Sequence, residues 1–223
     1  MKTKLVSLIA VLLGLSINAA SAEAPTVAGE VGAKYASDYL RRGEVLSAEA
    51  LQAQVGFNIG LDAVDFYGDL FTNQSTESSG ADTDEATFGI TTGFFEDKLN
   101  AYLGVYNTDT GVGDNDLEAF AALQLNAILS PTLSIYRDTD DSLYTFEGQI
   151  SYDIDLDIVG IEVTGVLGNT DTTASNDSTY YGAKVTATKT VKENINVYTD
   201  IALSDTDTRE NETVWGVGLS VTF

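Results

Sequence analysis

The chain has 223 residues, with 11 Lys and Arg against 34 Asp and Glu, a formal charge of −23, no histidine and no cysteine. Those absences exclude imidazole catalysis and metal ligation, disulfides, thiol nucleophiles and iron–sulfur ligation. So acidic a chain repels nucleic-acid phosphates and the anionic inner face of a membrane, so no nucleic acid is expected among its partners.

The first element is a leader. Lys2 and Lys4 precede an apolar stretch from Leu5 to Ile17 and a small-residue end at Ala20-Ser21-Ala22, the three-part order of a secretory signal peptide. The stretch falls short of the roughly 20 apolar residues that span a bilayer as a helix. Residues 1–22 are therefore expected to be cleaved on export and residues 23–223 to form one domain; losing both lysines takes the formal charge from −23 to −25.

Beyond the leader, apolar residues recur with period two, the mark of strands with one apolar face. The first segment runs from Val27 to Tyr39, and the second sets Leu51, Ala53, Val55, Phe57 and Ile59 against Gln52, Gln54, Gly56 and Asn58. Val64–Leu70, Ala86–Phe94, Leu99–Val105, Leu117–Ala127 and the short Leu133–Ile135 follow. Tyr144–Ile154, Val159–Leu167, Tyr181–Ala187, Ile195–Leu203 and Trp215–Phe223 complete the series. The connections alternate between tight ones, such as Phe95-Glu96-Asp97-Lys98, and long ones at 40–50, 73–85, 107–116, 138–143, 169–179 and 204–213. This is the layout of an all-β, antiparallel, up-and-down transmembrane β-barrel of about 12 strands, with short turns at one end and long loops at the other. A secreted β-sandwich also alternates, but has no reason to sort its long connections to one end.

In the last segment Trp215, Val217, Leu219, Val221 and Phe223 share one face, and Gly216, Gly218, Ser220 and Thr222 the other. The apolar set is expected to meet lipid. The same test places Tyr39, Tyr144, Tyr181 and Trp215 at the loop-side ends of outward rows, and Phe57, Phe66, Phe94, Tyr152 and Phe223 at the turn-side ends. These form two aromatic girdles, as at the two interfaces of a membrane.

The opposite parity lines the interior. Its charged residues include Glu30, Lys34, Asp65, Asp69, Glu147, Glu162, Lys184 and Asp200, six carboxylates against two lysines. A water-filled lumen of this composition favours cations; the competing reading is that Glu30, Lys34, Lys184 and their neighbours pair internally and fill a closed barrel. Tyr67, Tyr102, Tyr106, Tyr136 and Tyr198 face inward and offer rings on which a sugar or nucleoside would stack, or simply pack. Two lysines do not make the basic track that a channel for acidic sugars needs, and an outer-membrane lipase needs a histidine. No catalytic residue set and no cofactor is expected. In the loops, Asp109, Asp114, Asp116 and Glu118, or Asp138, Asp140 and Asp141, present hard oxygen ligands for divalent cations such as Ca²⁺. Neither cluster has EF-hand spacing, and a solvated acidic surface is the plainer reading.

Phe223, closing an alternating apolar strand, resembles the signal that the barrel assembly machinery of Gram-negative bacteria reads. Near the other end, Ser37-Asp38-Tyr39-Leu40-Arg41-Arg42-Gly43 followed by Ala50-Leu51-Gln52 resembles the first hairpin of the TorF-like (Gcw_chp) porin family, with Glu44-Val45-Leu46-Ser47 in place of the usual S-Q after R-G. The resemblance covers about 16 residues and implies an outer-membrane location and a pore, without naming a ligand. The expected function is a non-enzymatic channel for passive diffusion of small cationic or neutral solutes, with outer-membrane lipid as its surroundings. The alternative is a closed structural or adhesive barrel that works through its acidic loops.

Overall fold

The structure, a computed structural model, describes residues 25–61, 64–77, 82–111, 115–171, 178–207 and 209–223. The expected leader lies outside them, as does Asp114. Twelve strands follow in chain order: β1 (Thr26–Arg41), β2 (Glu44–Leu61), β3 (Val64–Ser75), β4 (Thr83–Phe94), β5 (Leu99–Asp109), β6 (Asp116–Leu125), β7 (Thr132–Asp138), β8 (Tyr144–Leu156), β9 (Val159–Thr170), β10 (Ser178–Lys192), β11 (Ile195–Thr206) and β12 (Arg209–Thr222). Each pairs antiparallel with its chain neighbours, and β1 pairs with β12, so the sheet is a closed up-and-down barrel.

The seam is secured at the turn end, where the N–H of Gly29 donates to the Phe223 carbonyl and the N–H of Phe223 to the Gly29 carbonyl, both at 2.9 Å. From there β1 and β12 stay in register from Glu30↔Thr222 to Ala36↔Gly216. Closure matters because an open edge in an apolar phase would leave backbone groups unpaired at several kcal/mol each.

The polarity is inverted relative to a water-soluble protein. Leu103, Leu133, Leu167, Leu203 and Leu219 are each more than half exposed on the outer face. The buried residues are mostly polar and sit inside: Ser47, Asn73, Thr83, Thr108, Glu118, Thr145, Asp200 and Ser204 among them. Period-two alternation thus puts the apolar rows outside and the polar rows inside, as in a barrel whose solvent is lipid.

The connections are less regular than the sequence predicts. The loop expected over 40–50 is only the two-residue turn Arg42-Gly43, and the one expected over 204–213 is the short link between Thr206 and Arg209. Both φ angles of the first turn are positive, 45° at Arg42 and 82° at Gly43, the pattern whose twist matches its flanking strands. At the turn end, by contrast, β6 stops at Leu125 and the chain takes six residues to reach Thr132. The N–H of Asn126 donates to the Lys98 carbonyl at 2.9 Å and the N–H of Leu125 to the Pro131 carbonyl at 2.9 Å, which shortens the ladder there.

Candidate functional site

The first hairpin leaves the wall of the barrel. β1 pairs with β12 up to Ala36 and β2 pairs with β3 up to Ala50, and beyond this level residues 38–48 pair only with each other. The β1–β2 ladder skips Ser37 and Glu49 at the same height, and Glu49 has a φ of 41°. Ala36 and Ala50, at the bend, are fully buried. At the two edges left behind, side chains take over: the Trp215 N–H donates to Ser37 Oγ at 3.1 Å, and Ser75 Oγ donates to the Ala48 carbonyl at 3.0 Å. A second bulge between Tyr39 and Leu40 completes the inward turn.

The tip then crosses the lumen. The Tyr39 hydroxyl donates to Glu85 of β4, and its ring lies 5.2 Å from that of Phe71 on β3. Tyr39 is therefore inside and 9% exposed, a correction to its expected place in the outer girdle: alternation assigns it outward, but the hairpin has left the wall before reaching it. Arg41 lies over the Tyr106 ring at 5.2 Å, among Glu85, Asp116 and Glu118 at 3.9–4.0 Å. Arg42 donates to both carboxylate oxygens of Glu118, at 2.7 and 2.6 Å, and sits 4.7 Å over the Tyr136 ring. This bidentate pair is the strong form of an arginine–carboxylate contact. Burial works against the charge on Arg42, but the hydrogen bonds and charge of Glu118 outweigh it and raise its pKa above the ordinary arginine value. Gly43 lies against β11 and β10, where a Cβ would come within 2.6 Å of Thr206 and of Tyr180.

The tip divides the interior. Above it, a cavity of about 280 Å³ lies between Arg41, Arg42, Glu118 and loop-end residues such as Asp138 and Asp171. Below it, a cavity of about 230 Å³ is lined by Leu40, Arg42, Glu147, Val166 and Lys184. Arg42 and Tyr180 line both. The Tyr180 hydroxyl donates to Glu147 at 2.7 Å, and its ring lies over Gly168, where a Cβ would overlap it.

Deeper in, Lys34 pairs with Asp200 at 2.7 Å beside a cavity of about 410 Å³ that Glu30, Glu162, Lys184 and Tyr198 also line. Asp69 accepts from Gln54 at 2.8 Å, and its pairing partner across β2 is Gly56. A larger space, about 750 Å³, opens at the turn end between Asn58, Asp65, Tyr67, Asp97 and Tyr102. There the Tyr67 and Tyr102 rings meet edge to face at 6.1 Å, and the Tyr102 hydroxyl donates to Gln124 at 2.9 Å. Among the described residues, ion pairs engage Asp200, Glu85, Asp116 and Glu118, and none engages Glu30, Asp65, Asp69 or Glu162.

The residues expected inside thus line the lumen, but in separate groups rather than one site. Tyr106, Tyr136 and Glu147 belong to the hairpin tip's surroundings; Lys34, Asp200 and Tyr198 form the middle group; Asp65, Tyr67 and Tyr102 form the turn-end group. Tyr144, Tyr181, Trp215, Phe66, Phe94, Tyr152 and Phe223 are exposed on the outer face, and Phe57 lies there too, against Gly68. Sequence reasoning missed Arg41, Arg42, Glu85, Glu118 and Tyr180 as interior groups. Among the described residues, Arg41 and Arg42 thus join Lys34 and Lys184 as cations of the lumen. Two of the chain's four arginines are adjacent and precede a glycine between two alternating runs, which is the signal of a tight charged turn. Asp109 and Asp138 spend their carboxylates on their own loops, accepting from the N–H groups of Gly111 at 2.8 Å and of Asp140 at 2.7 Å. Among the described residues no group of three carboxylates is arranged to hold a metal ion.

No protein-family model matches the chain, and no curated protein does. Solved structures do match its fold. A KdgM porin aligns with a TM-score of 0.58 at 13% identity, covering 87% of this chain and 99% of its own. A NanC porin aligns with a TM-score of 0.58 at 11% identity, over 86% and 98%. An outer membrane channel from Pseudomonas putida F1 aligns with a TM-score of 0.54 at 12% identity, over 93% and 100%. The fold of this chain is thus that of porin-like outer-membrane barrels.

Proposed function

We propose that this chain is an outer-membrane channel through which small cationic or neutral solutes diffuse passively, narrowed near its outer mouth by the first hairpin. The observation that carries the reading is the polarity of the wall: apolar outside, and inside a set of carboxylates at Glu30, Asp65, Asp69 and Glu162 that no ion pair neutralises among the described residues. In a narrow lumen such groups attract cations and repel anions. The porin-like fold and the resemblance of the first hairpin to the TorF-like family support the location and the channel role. A KdgM porin structure holds oligogalacturonate. That acidic saccharide does not suit this lumen, whose cations, among the described residues, are largely matched by neighbouring carboxylates. Phe223, exposed at the end of β12, is proposed as the residue that the barrel assembly machinery reads.

The test is single-channel current from refolded protein lacking residues 1–22, in a planar bilayer under a KCl gradient. Discrete steps with a cation-selective reversal potential are expected, and Asp65→Asn, Asp69→Asn and Glu162→Gln together move that potential toward zero. No current from protein shown to be folded would favour the second reading, a closed structural or adhesive barrel. The observation on its side is the hairpin tip itself, whose Arg42 reaches Glu118 on β6 and Tyr136 on β7 across the mouth.

A further inference from the structure

The hairpin that crosses the lumen has two places to be. In the structure it is seated inside, held by Arg42 on Glu118. The place it has left is still open. β12 begins at Arg209, but its pairing with β1 stops at Gly216, so the outer stretch of β12 up to Trp215 pairs with β11 alone. On β1, residues beyond Ala36 pair with β2 alone. Continuing the observed register would set Ser37 opposite Trp215, Tyr39 opposite Thr213 and Arg41 opposite Asn211. These are the positions that, like Gly29 and Phe223, exchange both backbone hydrogen bonds. The Trp215 N–H already points at Ser37, whose side chain now accepts it. Opposite, the Thr76 N–H donates to the Glu49 carbonyl at 2.7 Å, one step past the last β2–β3 pair.

We infer that residues 37–49 form a hinged gate with two seats, one across the lumen and one in the wall between β12 and β3. The hinge is the level of Ser37 and Glu49, where both strands skip a pair at once. The latch is Arg42 on Glu118, with the arginine–tyrosine contacts beside it. In the wall seat the backbone of β1 gains ladder partners on β12, Tyr39 returns to the outward parity that its place in the strand dictates, and Arg42 leaves the lumen. The loss of the buried ion pair is then offset by hydrogen bonds that the seated hairpin forgoes. The two vestibules that share Arg42 and Tyr180 become one passage. Two discrete packings joined by a hinge are what a switching element requires.

The chain has no cysteine, so introduced pairs report position cleanly. Ser47→Cys with Asn73→Cys lies within disulfide reach only in the lumen seat, where the Asn73 amide donates to Ser47 Oγ at 2.8 Å; continuing the β2–β3 register in the wall seat carries Ser47 five residues past Asn73. Tyr39→Cys with Thr213→Cys lies within reach only in the wall seat, since Tyr39 now points away from β12, toward Phe71 on β3 and Glu85 on β4. Each pair is oxidised in the folded barrel, verified by its gel mobility without heating, with Glu118 intact and with Glu118→Gln. The lumen pair closes readily in the first background. The wall pair closes at least tenfold faster with Glu118→Gln than without it. In bilayers the oxidised lumen pair holds the conductance low and reductant raises it, whereas the oxidised wall pair holds it high. A wall pair that stays reduced in both backgrounds, while the lumen pair closes fully, would overturn the gate and leave a fixed plug. The conductance half rests on the channel reading above. If no form conducts, that reading fails, and the crosslinking pattern still decides whether the hairpin moves.

Discussion

Arg42, in the turn that closes the first hairpin, grips Glu118 of β6 from 76 positions away with two hydrogen bonds of 2.7 and 2.6 Å. The carboxylate is 8% exposed and the guanidinium 20%. Removing one partner of such a pair strands the other, at roughly 3–5 kcal/mol when burial is complete. With Arg42 partly wetted, Glu118→Ala should cost about 2–3 kcal/mol, concentrated in the hairpin's docking. Hydrogen exchange will read it: amides of residues 38–48 lose protection by one to two orders of magnitude while those of β8 to β11 hold theirs. Equal loss throughout would mean that the pair supports the whole barrel rather than the tip.

The barrel was readable because a lipid-facing wall leaves a period-two record in every strand. The rows ending in Trp215 and Phe223 show it plainly, since Gly216, Gly218 and Ser220 alternate with apolar residues and have no other use for that order. Connection lengths were less readable, because polar residues such as Glu44 and Ser47 look like loop when judged by propensity but pair as strand once Arg42 and Gly43 close the turn. The inward fold of the hairpin was not readable at all from parity. Alternation tells which side of a sheet a residue faces only while its strand remains in that sheet, and Tyr39 lies beyond the point where β1 departs. Nor does any local pattern bring Arg42 to Glu118, since that contact depends on β6 lying across the lumen from β1.

The pair of Lys34 and Asp200 joins β1 to β11 along the inner wall, over Gly216 of β12, at 2.7 Å, with Asp200 7% exposed in its side chain. Asp200→Ala leaves an ammonium that is 20% exposed without its partner and should lower stability by about 1–2 kcal/mol. Replacing both, with Lys34→Met and Asp200→Leu, restores most of that loss by substituting apolar packing for the ion pair. Urea unfolding of the protein in lipid vesicles will measure it. A double variant as weak as Asp200→Ala would show that the site tolerates no apolar pair.

Tyr180 stands over Gly168 on the neighbouring strand, and its hydroxyl reaches Glu147 one strand further on. A methyl group at Gly168 overlaps the ring. Gly168→Ala should therefore push Tyr180 off Glu147 and cost about 1–3 kcal/mol through overpacking. Tyr180→Ala in the same chain removes the clash, so the double variant should be no weaker than Tyr180→Ala alone. An additive loss would place the strain of Gly168→Ala in the strand backbone instead.

Arg41 differs from its neighbour in how it is held. It has three carboxylates around it at 3.9–4.0 Å, its Nε is buried without a hydrogen-bond partner, and Tyr106 lies beneath it at 5.2 Å. At 3.9–4.0 Å these pairs are weak, but the guanidinium, Glu85 and Glu118 are largely buried, so Arg41→Gln should lower stability by about 1–2 kcal/mol, less than Glu118→Ala. It also removes a positive charge at the level of the hairpin tip, close to Glu85 and Glu118. The reversal potential under a KCl gradient should therefore move further in the cation-selective direction, opposite to the shift expected from neutralising Asp65, Asp69 and Glu162. Were Arg41→Gln to leave the potential where it was, ions would be passing outside the reach of the hairpin tip, and the tip would not be the level at which charge is sorted.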